Sequence, residues 1–345
     1  MRTRRKLAAR KAVWSSFVAV IAASAAIMGT TGGFASAAPA PTAHAAALTP
    51  VRLAVLPAFG SLPIHVAALR NMFKANGLSV AVTPLNDPAA GVAALGKQFD
   101  IALAAPNIML AAASHGLQVK AISGMQIVDA KHPNSVLVSK TPIRSYADLK
   151  GKRVGVISLS GGSIVALKYD LQKAGVDPKT VTFSAVPLAT MADQVKAGNI
   201  DVAVSAIPFF TGLSGLSVGK TDVIGDAVST FTHGKLKSAP SAIMTVSAPW
   251  AAKNPRAVRG FQKAVAQAMA WIQKNPKQAR QILQQWLKLP ANVVNAAPMP
   301  GFSQPITATQ LNAMIAIAKF EQALPLTGVP TARSLIVPGG DKPAL

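Results

Sequence analysis

The sequence predicts an α/β protein built from two similar lobes, and three observations carry that reading. Short apolar runs rich in β-branched residues alternate with helical runs along most of the chain. The order of these signals in one stretch recurs in a second stretch about a hundred residues later. Finally, 345 residues, half of them apolar and 14% charged, give a globular composition and enough length for two domains.

The first copy opens with the strand-like Val51-Arg52-Leu53-Ala54-Val55 and passes through a Gly/Pro/Ser loop to a helical run from Ile64. Ala75-Asn76-Gly77-Leu78 follows, then an extended run over 79–83, Pro84-Leu85, a second helical run, and an apolar strand over 99–106. The second copy opens at 153–157, crosses a Ser/Gly loop and a helix to Lys173-Ala174-Gly175-Val176, continues through 180–185 and Pro187-Leu188, and ends over 200–208. Each copy reads β-α-β-α-β, the pattern of a parallel sheet covered by helices on both faces. Gly77 and Gly175 suit the residue just past a helix, where a left-handed backbone costs glycine nothing. In such sheets ligands bind beyond the carboxyl ends of the strands, so two lobes with these ends facing each other form a cleft.

Extended stretches at 119–123, 135–139 and 241–246 are expected to cross between lobes. Beyond Pro249-Trp250 the pattern changes to helices over 255–274, 276–289 and 309–323, with Pro255 and Pro276 in their first turns. This helical tail is expected to pack on the first lobe, which gives a first lobe of 38–139 plus 241–345 and a second of 140–240.

The N-terminus reads as a cleaved export signal over 1–37. Arg2, Arg4, Arg5, Lys6, Arg10 and Lys11 precede an Ala-rich apolar run and small-residue A-x-A sites. Ala35-Ser36-Ala37 places the cut before Ala38; Ala43-His44-Ala45 offers a second site, before Ala46. The Arg4-Arg5 pair fits either twin-arginine or general export. The apolar run falls short of the ~20 residues of a membrane span, and a chain without Cys has no site for a lipid anchor.

The absence of Cys also excludes disulfides, thiolate catalysis, iron–sulfur clusters and Cys-ligated zinc. Five dispersed His without a carboxylate cluster give no expectation of a metal, and no dinucleotide, phosphate-loop or hydrolase signature points to catalysis or a cofactor. The formal charge is +23, and outside the leader 29 basic residues still face 12 acidic ones. An anionic ligand or an acidic exterior accounts for that excess. Nucleic acid is not expected as a partner, because the mature chain has no basic run and few aromatic residues for stacking.

Candidate ligand contacts lie at the predicted strand ends. In Phe59-Gly60-Ser61-Leu62, Gly60 permits close approach, and Ser61 is either a contact or a helix cap. His65 stands in the first turn of the next helix. Asn86 and the N-cap Asp87 open another helix, and Asn107 follows the third strand. In the second copy, Ser158, Ser160, Gly162 and Ser163 form a hydroxyl-rich loop entering a helix, suited to an anion through backbone N–H groups and the helix dipole. Ser205 ends the matching strand. Asp100 and Asp201 occupy equivalent places in the two copies and are expected to tether their own strand starts. Tyr169, Asp170, Trp271 and Trp286 stand at helical spacings that fit packing or solvent exposure rather than a cofactor box.

On these residues the chain resembles the type II periplasmic binding proteins of the nitrate, sulfonate and taurine group, which also includes proteins binding a thiamine pyrimidine precursor. The run Ser145-Tyr146-Ala147-Asp148-Leu149-Lys150-Gly151-Lys152-Arg153-Val154-Gly155-Val156 leading into Ser160-Gly161-Gly162-Ser163 carries most of the resemblance. Phe99-Asp100-Ile101-Ala102 and Ala197-Gly198-Asn199-Ile200-Asp201-Val202-Ala203 add to it, and it covers roughly residues 50–290. It implies a monomeric periplasmic solute-binding protein of an ABC importer, closing by a hinge on a small anion such as an alkanesulfonate, a taurine-like acid or nitrate, and delivering it to a membrane permease. Where many relatives carry an aromatic-acid-proline sequence, this chain has Ala206-Ile207-Pro208, which argues against a ligand whose amine needs a carboxylate there. His65 falls where thiamine-precursor relatives also carry His, so a pyrimidine is the alternative ligand. A sensor's binding component is a further alternative; an enzyme is not expected.

Overall fold

The computed structural model describes residues 47–345 apart from Ala130, Gly161, Gly212, Lys220, Thr221 and 323–327. The expected export signal and both cleavage sites lie outside the described residues, as does the end of the helix expected over 309–323.

The first copy of the repeat folds as β1 (Thr49–Val55), α1 (Leu62–Leu69), α2 (Met72–Ala75), β2 (Leu78–Pro84), α3 (Pro88–Ala93), β3 (Ile101–Ala104) and α4 (Pro106–Ser114). β4 (Val119–Gly124), β5 (Gln126–Asp129) and β6 (Ser135–Ser139) lead to the second copy. This comprises β7 (Arg153–Val156), α5 (Gly162–Lys173), β8 (Thr182–Ala185), α6 (Met191–Ala197) and β9 (Val202–Ala206), then β10 (Ser217–Val218) and α7 (Val223–Phe231). β11 (Ser238–Pro240), β12 (Ile243–Ser247), α8 (Ala248–Lys253), α9 (Pro255–Lys274), α10 (Pro276–Leu287), α11 (Ala291–Ala296), β13 (Gly301–Phe302) and α12 (Ala308–Phe320) complete the described chain.

Two five-stranded sheets share one plan. The first runs β2-β1-β3-β12-β4 and the second β8-β7-β9-β6-β10. In each, the three strands of the repeat pair in parallel, with Thr49 opposite Leu78 and Arg153 opposite Thr182, and the fourth strand is antiparallel. That fourth strand enters from the other half of the chain: β6 comes straight from the first sheet, and β12 returns from the second. A small antiparallel sheet, β11-β5-β13, ties the two crossings together. β6, expected with the first lobe, pairs Ser135 with Ala206 and Ser139 with Val202 in the second sheet. The boundary after residue 139 is therefore corrected to one before β6. Strand-like composition showed where β6 lies but not which sheet would pair with it.

Alternation along the strands fills two apolar layers. Val51, Leu53, Val55, Ile101 and Leu103 face one cluster, while Ala54, Ala102 and Ala104 face the other. In the second sheet, Val136, Val138 and Ala203 face the first cluster and Leu137, Val202 and Val204 the second. Burial on both faces is why these strands read as continuous apolar runs. Gly77 and Gly175 have φ of +81° and +77°, with open space where a Cβ would stand, so the left-handed backbone alone selects glycine there.

The two aspartates do equivalent work. Asp100 accepts from the Arg52 backbone N at 2.9 Å and from its guanidinium at 2.7 Å; Asp201 does the same with Arg153 at 2.8 and 2.7 Å. Each pins the start of one parallel strand to the next. The Arg153 hydrogen bonds hold the Asp201 carboxyl down at about 2.

Pro255 and Pro276 start their helices as expected, and α9 and α10 pack on α1 beside the first sheet. Tyr169 sits edge-on to Phe231 and Phe320, and Trp271 lies under Arg70, both packing roles. α12 departs from the expectation that the tail keeps to the first lobe, since it packs against α4 on one side and α5 and α7 on the other. Its sequence is apolar nearly all round, with Leu311, Ala313, Met314, Ile317 and Ala318 buried, so it can bury against two layers at once.

Candidate ligand-binding site between the two sheets

The carboxyl ends of β1 and β3 in the first sheet and of β7 and β9 in the second converge with both crossings on one cavity of about 90 Å³. Gly60, in a short 3₁₀ turn after β1, lines it from the first sheet. Ser158 after β7, and Gly162 and Ser163 opening α5, line it from the second. The crossings contribute Gln126, Asn134, Ser135 and Ser241.

The sides are mostly apolar, and the polar groups are all neutral. Buried Gln126 donates from Nε2 to Asn134 Oδ1 at 2.6 Å, and its carbonyl accepts from the backbone N of Ser241 at 2.9 Å. Ser135 Oγ is buried without a hydrogen-bond partner among the described residues. Ser158 Oγ lies 3.3 Å from Ser160 Oγ. No titratable side chain lines the cavity among the described residues, so it offers dipolar donors and acceptors but no proton-transfer group. Nor do the described residues contain a metal-competent cluster.

Four of the sequence-derived candidates meet at this cavity: Gly60, Ser158, Gly162 and Ser163. The others lie elsewhere, each for a definite reason. Phe59 is fully buried in the core beneath the loop. Ser61 is also fully buried, with Oγ directed at the carbonyls of Leu56 (2.8 Å) and Ala58 (2.7 Å), so it staples the turn. His65 stacks on Trp286 with ring centroids 3.5 Å apart, and burial pushes its pKa down to about 4. Asn86 is exposed, and Asp87 caps α3 through Ala89 N. Ser160 faces solvent. On β9, Val204 and Ala206 line the cavity, so strand alternation turns Ser205 to the opposite face.

Asn107 bridges the two lobes without lining the cavity. From the first turn of α4 its Nδ2 donates 2.7 Å to the Ser160 carbonyl of the facing lobe. Replacing Asn107 by Ala removes one hydrogen bond between the two lobes, worth about 1 kcal/mol. The expected outcome is a roughly fivefold weaker affinity for any solute that closes the cleft, by the same factor for chemically different solutes; titration with two of them checks this.

The sequence reading missed Gln126, Asn134, Ser135 and Ser241. They stand in the crossings, whose extended character was visible, but only the reciprocal strand exchange brings the two segments side by side. A buried group of acids lies behind this wall. Asp222 Oδ2 accepts from Asn134 N at 3.2 Å, and burial pushes Asp222 up to about 7. Tyr146 Oη donates to Asp226 at 2.9 Å. Burial, reinforced by the Asp226 charge, raises Asp170 to about 8.

Two helix-flanked sheets that exchange one strand each, with a cavity between their carboxyl edges, define the two-lobed type II periplasmic binding protein fold. The chain belongs to the family described as NMT1/THI5 like, whose sequence profile matches residues 58–279. Solved structures with this fold include the alkanesulfonate-binding protein SsuA from Xanthomonas axonopodis pv. citri bound to MOPS, at 18% identity and TM-score 0.69, covering 84% of this chain and 99% of that one. The periplasmic aliphatic sulphonate binding protein SsuA from Escherichia coli matches at 18% identity and TM-score 0.64, over 84% and 92% of the two chains. The periplasmic nitrate-binding protein NrtA from Synechocystis PCC 6803 matches at 15% and 0.65, over 84% and 85%. No curated protein matches the chain significantly.

Proposed function

We propose that the protein is the exported, monomeric solute-binding component of an ABC importer, and that it closes its two lobes on a small anion of the alkanesulfonate, taurine or nitrate kind for delivery to a membrane permease. The observation that carries this reading is the cavity at the meeting of both strand-end edges, where the first residues of α5 and the hydroxyls of Ser135, Ser158 and Ser163 converge. Backbone N–H groups at a helix start and neutral hydroxyls hold an anion without a counter-cation. The small volume favours an ion of few atoms, and the absence of a lining carboxylate among the described residues suits an anion. A ligand touching both lobes stabilises the closed form by its differential affinity. The pyrimidine alternative loses its support from His65, which is occupied with Trp286 away from the cavity.

Thermal unfolding of the protein beginning near Ala38, against alkanesulfonates, taurine, nitrate, carboxylates and thiamine pyrimidines, tests this. A ligand at ~100 times its dissociation constant adds about 2.7 kcal/mol of stability. The expected result is a salt-tolerant shift with one anion class; a shift with a pyrimidine and no anion overturns the reading. Ser158→Ala combined with Ser163→Ala is expected to weaken that anion by about 1–3 kcal/mol, measured by calorimetric titration.

A further inference from the structure

A second concavity differs from the first in size, charge and place. A groove of about 1080 Å³ lies between β4, α8, α9 and the segment after Val337, and none of its lining residues lines the cavity between the lobes. Four of its side chains are cationic: Lys120, Arg259, Lys263 and Lys342. No Asp or Glu lines it among the described residues. Arg52 and Arg153 each meet an aspartate elsewhere in the fold, and Arg333 meets Asp341, the neighbour of Lys342 in the segment that borders the groove. The side chains of Lys120, Arg259 and Lys263, by contrast, have no ion-pair or hydrogen-bond partner among the described residues. The groove wall between these cations is apolar, with Ala252 and Pro249 exposed on α8.

We propose that this groove binds a single-chain amphiphilic anion, such as a long-chain carboxylate, with its head among the four cations and its hydrocarbon body along α8 and α9. The cation cluster supplies the charge complementarity, and the strongly basic chain adds a long-range attraction of the same sign. A bare inorganic ion fills little of 1080 Å³ and leaves the apolar wall unused, whereas sites for organic molecules of moderate size occupy this order of volume and are lined mainly by apolar groups. A concave groove encloses one molecule, while docking on a bilayer calls for a broad face that meets headgroups. The groove is independent of the solute cavity, so the two sites succeed or fail separately.

Calorimetric titration with sodium dodecanoate, below its micelle concentration and at moderate salt, tests the proposal. The expected result is saturable binding of one molecule per chain. Arg259→Glu with Lys263→Glu weakens it at least tenfold, and Ala252→Trp, which fills the groove from an exposed position, does the same. Both variants keep the wild-type melting temperature and the affinity of the cleft for its solute. No saturable binding, unchanged affinity in both variants, or equal binding of the uncharged octyl glucoside overturns the proposal. Binding to phosphatidylglycerol vesicles with none to dodecanoate also overturns it, and makes the groove a membrane-contact face.

Discussion

The protein is expected to melt at least about 5 °C lower at pH 8 than at pH 5. Burial raises Asp170 to about 8 and Asp222 to about 7, and it raises the less buried Glu321 to about 7 against the pull of Lys168. The folded chain therefore holds protons that the unfolded chain releases near pH 4, and stability falls as pH rises from there to the folded values. The groups facing Asp170 sharpen the effect. Tyr146, Asp226, Asp222 and Glu321 surround it; only the Tyr146 hydroxyl favours its charged form, and Asp170 Oδ2 has no partner among the described residues. Half-buried His65 works in the opposite direction, since its depressed value costs stability as pH falls below 6.5 toward 4. Asp201, held at about 2, changes only in stronger acid. Because the acids titrate as a coupled set, their shifts do not add in full. Set against His65, the net loss between pH 5 and 8 is on the order of 3–4 kcal/mol. A domain pair of this size converts that to several degrees. Asp170→Asn keeps the shape and removes the strongest proton site, so it is expected to flatten the profile and to stabilise the protein at pH 8 more than at pH 5. A profile that is flat over this range, or a variant with the wild-type slope, rejects the assignment.

How much of this was legible in the sequence depends on the range over which each signal acts. The strands and helices of both copies, Gly77 and Gly175, Pro255 and Pro276, and the Asp100 and Asp201 tethers are local or repeated features, and the structure places them as read. At the cavity, Gly60, Ser158, Gly162 and Ser163 were legible because strand ends and helix starts mark their own positions. Phe59 and Ser205 were misplaced by side-chain direction, which one residue of phase decides. Ser61 and His65 turn to a partner or packing surface that the local sequence does not show, Leu56 and Ala58 for the first and Trp286 for the second, while Asn107 donates to Ser160 and keeps its Oδ1 without a partner among the described residues. Gln126, Asn134, Ser135 and Ser241 were invisible because their meeting depends on the exchange of β6 and β12 between sheets. The buried acids belong with them, since neither Asp170 on α5 nor Asp222 before α7 carries a local sign of burial.

Replacing Gly60 by Val is expected to weaken solute binding at least 100-fold while leaving the fold intact. Gly60 has no left-handed backbone requirement, so the effect rests on space alone. A Cβ at this position would stand 2.6 Å from Gln126 Oε1, and the carboxamide is held from the other side by the 2.6 Å hydrogen bond from Nε2 to Asn134. Making room swings the Gln126 side chain into a cavity of about 90 Å³ and strips Asn134 of its donor. Two neutral polar groups of the cavity wall are then displaced together, and the remaining volume is partly filled. The cost to stability is smaller, about 1–2 kcal/mol, because the displaced atom is the end of a flexible side chain rather than backbone. A 100-fold loss corresponds to about 2.7 kcal/mol of binding. Gly60→Ala, which adds the Cβ alone, should fall between wild type and Gly60→Val, so the two variants form a graded series. Titration of both with the solute identified by thermal shift, beside their melting temperatures, separates a blocked cavity from a damaged fold. Wild-type affinity in Gly60→Val would mean that the solute does not occupy the space between Gly60 and Gln126, and would move the binding site away from this cavity.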